Sequence, residues 1–295
     1  MKSSHRLALL FSLPSFFFIA LFLLFPIVES FRFSFYRMIL TLPWLGQRMV
    51  GWENYADLLT DPVALGSLRT TLVFIAVTIP LELLFGLGIA LVLNEAFQGR
   101  GLLRAVVLIP WAIPTVVASQ MWRFIFNDRY GLVNFVFFGA DTSRYLAPLA
   151  DPHLALAAIM IAEIWKTTPF AALIILAGLQ SIPDDLYEAA SVDGATSWQK
   201  FRHVTLPLLK PALLLALLFR TIDSLRVFDL VYVMTQGGPA DATNVLQFYG
   251  YKKTFGEGMI GYGSAIAVTV FFMSLALALA YLRAFRASRL RSQTA

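Results

Sequence analysis

Long apolar stretches alternate with short polar segments along the chain, and this pattern predicts helices that cross a membrane. Six such stretches can be delimited, each close to the roughly 20 residues that an α-helix needs to span the hydrocarbon core. They lie at about residues 7–28, 70–93, 102–125, 154–179, 211–233 and 262–282. The third is the least regular because Pro110 and Pro114 interrupt it. A membrane helix tolerates prolines where neighbouring helices satisfy the freed carbonyls.

The first stretch and the charges at its start predict the topology. Lys2 and Arg6 precede an apolar stretch that is too long for a signal peptide and lacks a small-x-small cleavage site. We therefore interpret it as an uncleaved anchor. Six spans place both termini on one side, and the basic N-terminus and basic tail favour the cytoplasm. The connections at residues 94–101 and 180–210 then lie inside.

Composition agrees with a membrane protein rather than a soluble one. Hydrophobic residues make up 58% of the 295 residues and charged residues only 14%, whereas soluble domains are about 45–50% apolar. The net charge of +5 is compatible with nucleic-acid binding. The basic residues instead cluster directly after the last apolar stretch, a pattern typical of a tail that faces anionic lipid. These residues are Arg283, Arg286, Arg289 and Arg291.

Missing residue types and motifs restrict the chemistry further. The sequence has no cysteine, which excludes disulfides and thiolate metal sites. Its histidines, His5, His153 and His203, are far apart in sequence, which argues against a histidine metal centre. The sequence also lacks a G-x-x-x-x-G-K-[ST] phosphate loop. Any ATPase on which this protein depends must therefore be another chain.

The connection at residues 181–207 predicts a helix, a glycine break and a second helix. Two aspartates at its start suit the positive end of a helix dipole, and Gly194 permits the left-handed residue that ends the first helix. Thr196 or Ser197 can cap the second helix, which we expect Pro207 to close. Spacing alone would also fit an amphipathic connector on the membrane surface.

The residue types in this loop resemble the full EAA signature of binding-protein-dependent ABC importer permeases. The matching residues are Glu188, Ala189, Ala190, Asp193, Gly194, Ala195, Phe201, Leu206 and Pro207. The resemblance extends over about residues 68–283 and is strongest for the maltose/trehalose/glycerol-phosphate type. Three further segments support it, at residues 108–114, 163–169 and 235–239.

The resemblance implies an all-α polytopic membrane protein with six transmembrane helices and the type I ABC importer permease fold. Residues 1–66 would form an N-terminal anchor helix and an extracytoplasmic segment. Residues 67–285 would form the permease core, with the coupling loop at 181–207, and residues 286–295 a basic cytoplasmic tail. The chain would lie in the cytoplasmic (inner) membrane with both termini in the cytoplasm.

Partners follow from the same resemblance. The chain would pair with a second permease subunit, two ATP-binding-cassette ATPase subunits and an extracytoplasmic sugar-binding protein, and it would bind no nucleic acid. It would not be an enzyme: it would have no catalytic residues, metal or cofactor, because the partner ATPase binds ATP and Mg. The first loop helix would be the coupling helix, seated in a cleft of the ATPase. The coupling residues are Tyr187, Glu188, Ala189, Ala190, Asp193 and Gly194.

Polar residues inside the fourth and fifth stretches are candidates for the substrate site, because intramembrane charges usually line a pathway. Each stretch has four positions on one helix face, at i, i+3, i+4 and i+7. They are Glu163, Lys166, Thr167 and Phe170, and Arg220, Asp223, Ser224 and Val227. Polar groups can hydrogen-bond sugar hydroxyls, and a ring can pack on the C–H surface. The resemblance implies that these positions line a sugar cavity, although the maltose type has mostly amides and aromatics there.

Other interpretations of these charges and of the function remain open at this point. Glu163–Lys166 and Arg220–Asp223 can be ion pairs that neutralise each other within one helix. For Glu82 in the second stretch, a hydrogen bond across helices is favoured over a proton relay. The alternative functions are a stand-alone ion-coupled secondary transporter or channel that uses Glu82, Glu163 and Asp223 as ion sites, and a membrane-embedded enzyme. The EAA loop argues against the first, and the lack of a nucleophile motif or of metal-ligand spacing argues against the second.

Overall fold

The computed structural model describes residues 2–293, and the side chains of residues 11–44 and 46–283. The described chain is mostly helical and divides into two units. The first comprises residues 2–65 and 249–272, and the second comprises residues 66–248 and 273–293. The predicted all-α class is confirmed. Its single short sheet among the described residues has two strands.

The helices and strands follow one another along the chain with short connections. In order they are α1 (Lys2–Ile19), α2 (Phe25–Ser34), β1 (Tyr36–Arg37), β2 (Arg48–Met49), α3 (Glu53–Thr60), α4 (Pro62–Asn94), α5 (Arg100–Ala112), α6 (Thr115–Ile125), α7 (Leu132–Phe138), α8 (Ala155–Leu179), α9 (Asp184–Val192), α10 (Ser197–Lys200), α11 (Leu206–Leu225), α12 (Asp229–Met234), α13 (Leu246–Tyr251) and α14 (Ile260–Gln293). Three π-helical turns connect some of them, at Ala20–Leu24, Phe201–Thr205 and Lys252–Gly256.

Four of the six predicted spans are confirmed as long apolar helices. They are Phe11–Ser34, Pro62–Asn94, Ala155–Leu179 and Ile260–Arg283. The apolar side chains of the first span are largely exposed, with Phe16, Phe17 and Phe18 between 57% and 60%. Exposure of this kind is what a helix in contact with lipid requires, because lipid tails solvate apolar side chains.

The third predicted span consists of two apolar helices, and its predicted interruption lies at the second of the two prolines. α5 and α6 meet at 89° across a break of two residues, Ile113 and Pro114. Because Pro114 has no N–H and disfavours a helical conformation at the residue before it, the helix ends there.

The bounds predicted for the fifth span are wrong. One helical run extends from Ser197 to Leu225, so it begins before residue 211 and ends before residue 233. Pro207 does not close the second loop helix as expected. It lies in the first turn of α11, just after a π-helical turn, where its missing N–H costs little.

In the first unit, Asp61 ties the connection between α3 and α4 to two tyrosines. Its carboxylate accepts hydrogen bonds from the phenols of Tyr249 and Tyr262, and from the backbone N–H of Val63. Burial alone would raise the pKa of Asp61, but these hydrogen bonds hold it below its ordinary value. The carboxylate is therefore ionised at neutral pH and can accept all of these bonds.

In the second unit, α8 is the most enclosed helix. Of its most apolar window, 61% is buried, against 28% for the span that contains α4. Its small residues permit close packing: a Cβ at Gly178 would lie 2.4 Å from the Cβ of Ala212 on α11. Membrane helices pack on small residues in this way because their backbones can then approach. The candidate site is built around α8.

Candidate functional site

Arg220 on α11 joins three helices of the second unit through buried ion pairs. Its Nε donates to Glu82 Oε2 on α4 at 2.7 Å, and its Nη2 donates to Glu163 Oε1 on α8 at 2.6 Å. All three side chains are buried. The predicted cross-helix hydrogen bond of Glu82 is therefore confirmed, with Arg220 as its partner. We call Glu82, Arg220 and Glu163 the arginine triad.

The hypothesis that these charges are neutralised within single helices is wrong for α8. The carboxylate of Glu163 pairs with Arg220, while Lys166 Nζ donates to the backbone carbonyls of Ile113 at 2.8 Å and Trp111 at 3.5 Å. Within α11, Arg220 Nη1 does lie 3.4 Å from Asp223 Oδ2. The Asp223 side chain is 56% exposed, so solvent weakens this contact.

A cavity of about 320 Å³ lies beside the arginine triad, within the size range of small-molecule pockets. Charged, hydroxyl, aromatic and aliphatic groups all contribute to its wall. The lining residues are Trp111, Thr115, Glu163, Lys166, Thr167, Arg220, Asp223, Arg226, Val227, Phe228, Asp229 and Leu230. The acidic and basic members are equal in number, three of each, so the lining carries no formal net charge.

Six of the eight residues predicted for the substrate site line this cavity. They are Glu163, Lys166, Thr167, Arg220, Asp223 and Val227. Thr167 donates its hydroxyl hydrogen to the Glu163 carbonyl at 2.7 Å. Val227 was expected on the same helix face as Arg220, but α11 ends at Leu225. It therefore reaches the cavity from the connection to α12.

The other two predicted residues do not line the cavity. The ring of Phe170 stacks on that of Trp111, with centroids 5.7 Å apart. Ser224 is fully buried, and its Oγ accepts a 3.4 Å hydrogen bond from Arg220. Their contacts are with the protein.

Sequence reasoning missed half of the lining residues. Trp111 and Thr115 come from the bend between α5 and α6, where Pro110 and Pro114 were a visible signal for a break. The others, Arg226, Phe228, Asp229 and Leu230, enter because α11 stops at Leu225. The sequence there has no glycine or proline to mark the helix end.

The predicted coupling loop has the expected order of elements. α9 ends before Gly194, whose φ of +77° is left-handed as predicted. Thr196 then caps α10, accepting from the Gln199 backbone N–H, while the Gln199 side chain accepts from the Thr196 N–H. This reciprocal pair is a capping box.

Two hydrogen bonds connect the first loop helix to the residues that follow Gly194. Tyr187 Oη lies 3.0 Å from the hydroxyl of Thr205, and Lys200 Nζ donates to Ser191 Oγ at 2.6 Å. Tyr187 and Ala190 are half-buried, whereas the outer residues of the predicted coupling set are exposed. The exposed members are Glu188, Ala189, Asp193 and Gly194.

Apolar side chains extend the exposed surface of the loop. Val192 is 89% exposed and Trp198 is 66% exposed. Two large apolar groups beside exposed carboxylates form a surface suited to a protein partner, since interfaces combine apolar and aromatic anchors with a polar rim.

The sequence has well-matched relatives. It is 42% identical over 286 residues to the trehalose/maltose transport system permease protein MalF of Thermococcus litoralis, covering 96% of this chain and 95% of that protein. It is 40% identical over 280 residues to the sulfoquinovosyl glycerol transport system permease protein SmoG of Agrobacterium fabrum, covering 95% and 90%.

The fold also matches a solved structure. A chain of a bacterial ABC transporter involved in the import of the acidic polysaccharide alginate superposes with a TM-score of 0.78 at 23% identity, covering 98% of this chain and 97% of that one. The expected type I importer permease fold is thereby confirmed. Residues 82–292 match the family described as binding-protein-dependent transport system inner membrane component. The chain belongs to this family of membrane-embedded transport subunits.

Proposed function

We propose that this chain is the permease subunit of an ATP-driven importer for a neutral disaccharide such as trehalose or maltose. The observation that carries the proposal is the cavity beside the arginine triad. Its wall combines hydrogen-bonding groups with the ring of Trp111, and a sugar presents hydroxyls and a C–H surface to such a wall. The substrate named for the Thermococcus litoralis relative supports the same class.

The charge of the cavity favours a neutral sugar over an acidic one. Lys166, Arg220 and Arg226 are matched in number by acidic lining residues, and Glu82 adds a further carboxylate behind Arg220. The negative charge of a sulfonate or a uronate would find the basic residue of the triad, Arg220, already paired with two glutamates. Acidic substrates, as named for the Agrobacterium relative and the alginate transporter, would need a more basic wall.

Energy would come from a separate ATPase seated on the loop at residues 181–207. We propose α9 as the coupling helix, with Glu188 and Asp193 offering carboxylates and Ala189 permitting close approach. The Tyr187–Thr205 contact ties α9 to the helical run that begins at the capping box and continues into α11, and this run would pass a movement of the ATPase to that helix.

The remaining partners and the orientation belong to the same proposal. A second permease subunit would complete the pathway, and an extracytoplasmic sugar-binding protein would deliver the substrate. The chain would lie in the cytoplasmic membrane with both termini inside. It would carry no cofactor and hydrolyse no ATP itself.

Transport by the reconstituted complex tests the proposal. The chain is co-expressed with its second permease, ATPase and binding protein, and placed in proteoliposomes with ATP on the ATPase side. We expect uptake of radiolabelled trehalose or maltose that needs ATP and the binding protein. Vesicles with a non-hydrolysable ATP analogue, and vesicles with this chain alone, are the controls and should take up neither sugar.

Two outcomes would contradict it. Uptake by this chain alone, driven by an ion gradient, would favour the secondary-transporter alternative. A carboxylate that binds a coupling ion must be free to do so, and the buried carboxylates Glu82 and Glu163 are already paired with Arg220, which disfavours that alternative. Uptake of alginate oligosaccharides but of neither disaccharide would overturn the neutral-sugar assignment.

A further inference from the structure

The bend between α5 and α6 leaves backbone carbonyls that α5 cannot satisfy by itself. The Ile113 N–H still donates to the Ile109 carbonyl at 3.2 Å, but Ile113 has an extended backbone with ψ 132°. The next residue, Pro114, has no N–H to donate. The carbonyls of Trp111 and Ile113 therefore lie at the negative end of the α5 dipole. Inside a membrane such groups need donors from the protein or from a water-filled cavity.

Lys166 provides these donors from the neighbouring helix α8. Its Nζ lies 2.8 Å from the Ile113 carbonyl and 3.5 Å from the Trp111 carbonyl, and the side chain is only 7% exposed. A buried ammonium at the carboxyl end of a helix gains from both the dipole and charge-assisted hydrogen bonds. The lysine on the most enclosed span and the break in the third span are thus parts of one arrangement.

The same bend places Trp111 in the cavity wall. Its indole ring stacks on Phe170, one turn beyond Lys166 on α8, with an angle of 21° between the ring planes. Phe170 in turn packs edge-on against Phe219 of α11 at 6.1 Å. The indole remains 48% exposed and lines the cavity. Phe170 therefore supports the indole ring, and the exposed part of the ring offers an aromatic surface to a ligand in the cavity.

We propose that Lys166 is a positioning residue for the sugar. Its ammonium holds the bend at residues 111–114, and the bend sets Trp111 as the aromatic wall against which the C–H face of the sugar packs. This inference rests on the proposed function, because the ligand it invokes is the disaccharide. Lys166 acts through the Ile113 and Trp111 carbonyls rather than as a hydrogen-bond donor to the sugar.

Transport kinetics of the complete transporter test whether Lys166 and Trp111 contribute to sugar binding. We expect Lys166→Met and Trp111→Ala each to raise the KM for trehalose or maltose uptake about tenfold, the size of one lost aromatic contact. The double variant should be no worse than either single variant, and Lys166→Arg should restore a KM near the wild-type value. Lys210→Met, which removes an exposed lysine of α11, is the matched control and should leave uptake unchanged.

The geometry of the bend can be measured directly because the chain has no native cysteine. Spin labels at Val106→Cys on α5 and Val117→Cys on α6, both exposed positions, report the distance between the two helices. We expect a narrow distance distribution in the wild type, Trp111→Ala and Lys166→Arg, and a broad one in Lys166→Met. Lys166→Gln, which keeps a hydrogen-bond donor without the charge, replaces Lys166→Met should that variant not assemble.

The two readouts separate this inference from the proposed function. A narrow distribution and a normal KM in Lys166→Met would overturn the positioning role. A raised KM in Lys166→Met with an unchanged distribution would indicate direct contact with the sugar and would also overturn it. If the wild-type complex imports neither disaccharide, the proposed function fails, while the distance distributions still decide whether Lys166 holds the bend.

Discussion

The arginine triad and the coupling loop contain the same kinds of charged residue in opposite surroundings. In the triad all three side chains are buried, and Arg220 lies 2.7 Å from Glu82 and 2.6 Å from Glu163. In the loop, Glu188 and Asp193 are exposed. Burying a charge is costly unless a partner compensates it, whereas an exposed charge is solvated by water.

This difference indicates a structural role for the triad and a partner-binding role for the loop. In the triad, each carboxylate has a hydrogen bond from Arg220 within the chain, so the triad acts as a fixed point among α4, α8 and α11. The loop is held by its own hydrogen bonds and leaves carboxylates, Val192 and Trp198 exposed. Substitutions in the triad should therefore affect assembly, and substitutions in the loop should affect the partner interaction.

The largest effect is expected for Arg220→Met. It would leave two buried carboxylates without a partner, at a cost of about 3–5 kcal/mol in the stability of the folded chain. We expect little folded complex, measured by yield and by thermal stability in detergent. Arg226→Met, an exposed arginine six residues further on, should give a normal yield.

Compensating substitutions sharpen this test. Arg220→Met combined with Glu82→Gln and Glu163→Gln should recover much of the yield, because no buried charge is then left alone. Arg220→Met combined with Asp223→Asn should not recover it, since Asp223 is largely exposed. Rescue by Asp223→Asn instead would mean that the pair within α11 is the structural one.

A smaller effect is expected for Gly194→Val. The space around Gly194 is open, so only the left-handed backbone opposes the substitution, at a cost of about 1–2 kcal/mol. We expect normal membrane insertion but loss of ATPase binding, measured by co-purification. Gly194→Asn is the matched control, because asparagine tolerates this conformation, and it should retain the ATPase. Equal behaviour of both variants would mean that the bend is not required.

Asp223→Asn should lower stability only slightly, by about 0.2–1 kcal/mol, as for other exposed ion pairs. Because the side chain lines the cavity, we expect reduced sugar uptake with normal yield and normal basal ATP hydrolysis. Normal uptake would remove Asp223 from the candidate sugar site. Ser224→Ala, one residue further on, changes a buried side chain that does not line the cavity and should affect yield more than the KM for the sugar.

The smallest effect on stability is expected for Glu188→Lys. At this exposed position the change should stay within about 0.5 kcal/mol, yet the reversed charge should weaken ATPase binding and uncouple transport. Glu95→Lys makes the same charge change at an exposed position on another connection and should retain the ATPase. Coupled transport at the wild-type rate by Glu188→Lys would show that α9 is not the coupling element.

The sequence by itself determined the features that depend on neighbouring residues. Apolar stretches long enough to cross a membrane located four spans correctly, because span length and hydropathy are local properties. The glycine turn and the candidate cap Thr196 in the loop at residues 181–207 were also predicted correctly, since both act on adjacent backbone. These local signals also carried the family resemblance.

Only the tertiary structure decided which charges meet. Arg220 pairs with Glu82, 138 residues away, rather than chiefly with Asp223 on its own helix. Lys166 donates a hydrogen bond to the Ile113 carbonyl at the end of α5 rather than pairing with Glu163. Helical spacing places residues on a face, but the rotation and contact of neighbouring helices set what that face meets. The reach of Trp111 into the cavity depends on the same packing, because a proline signal marks a break without giving its angle.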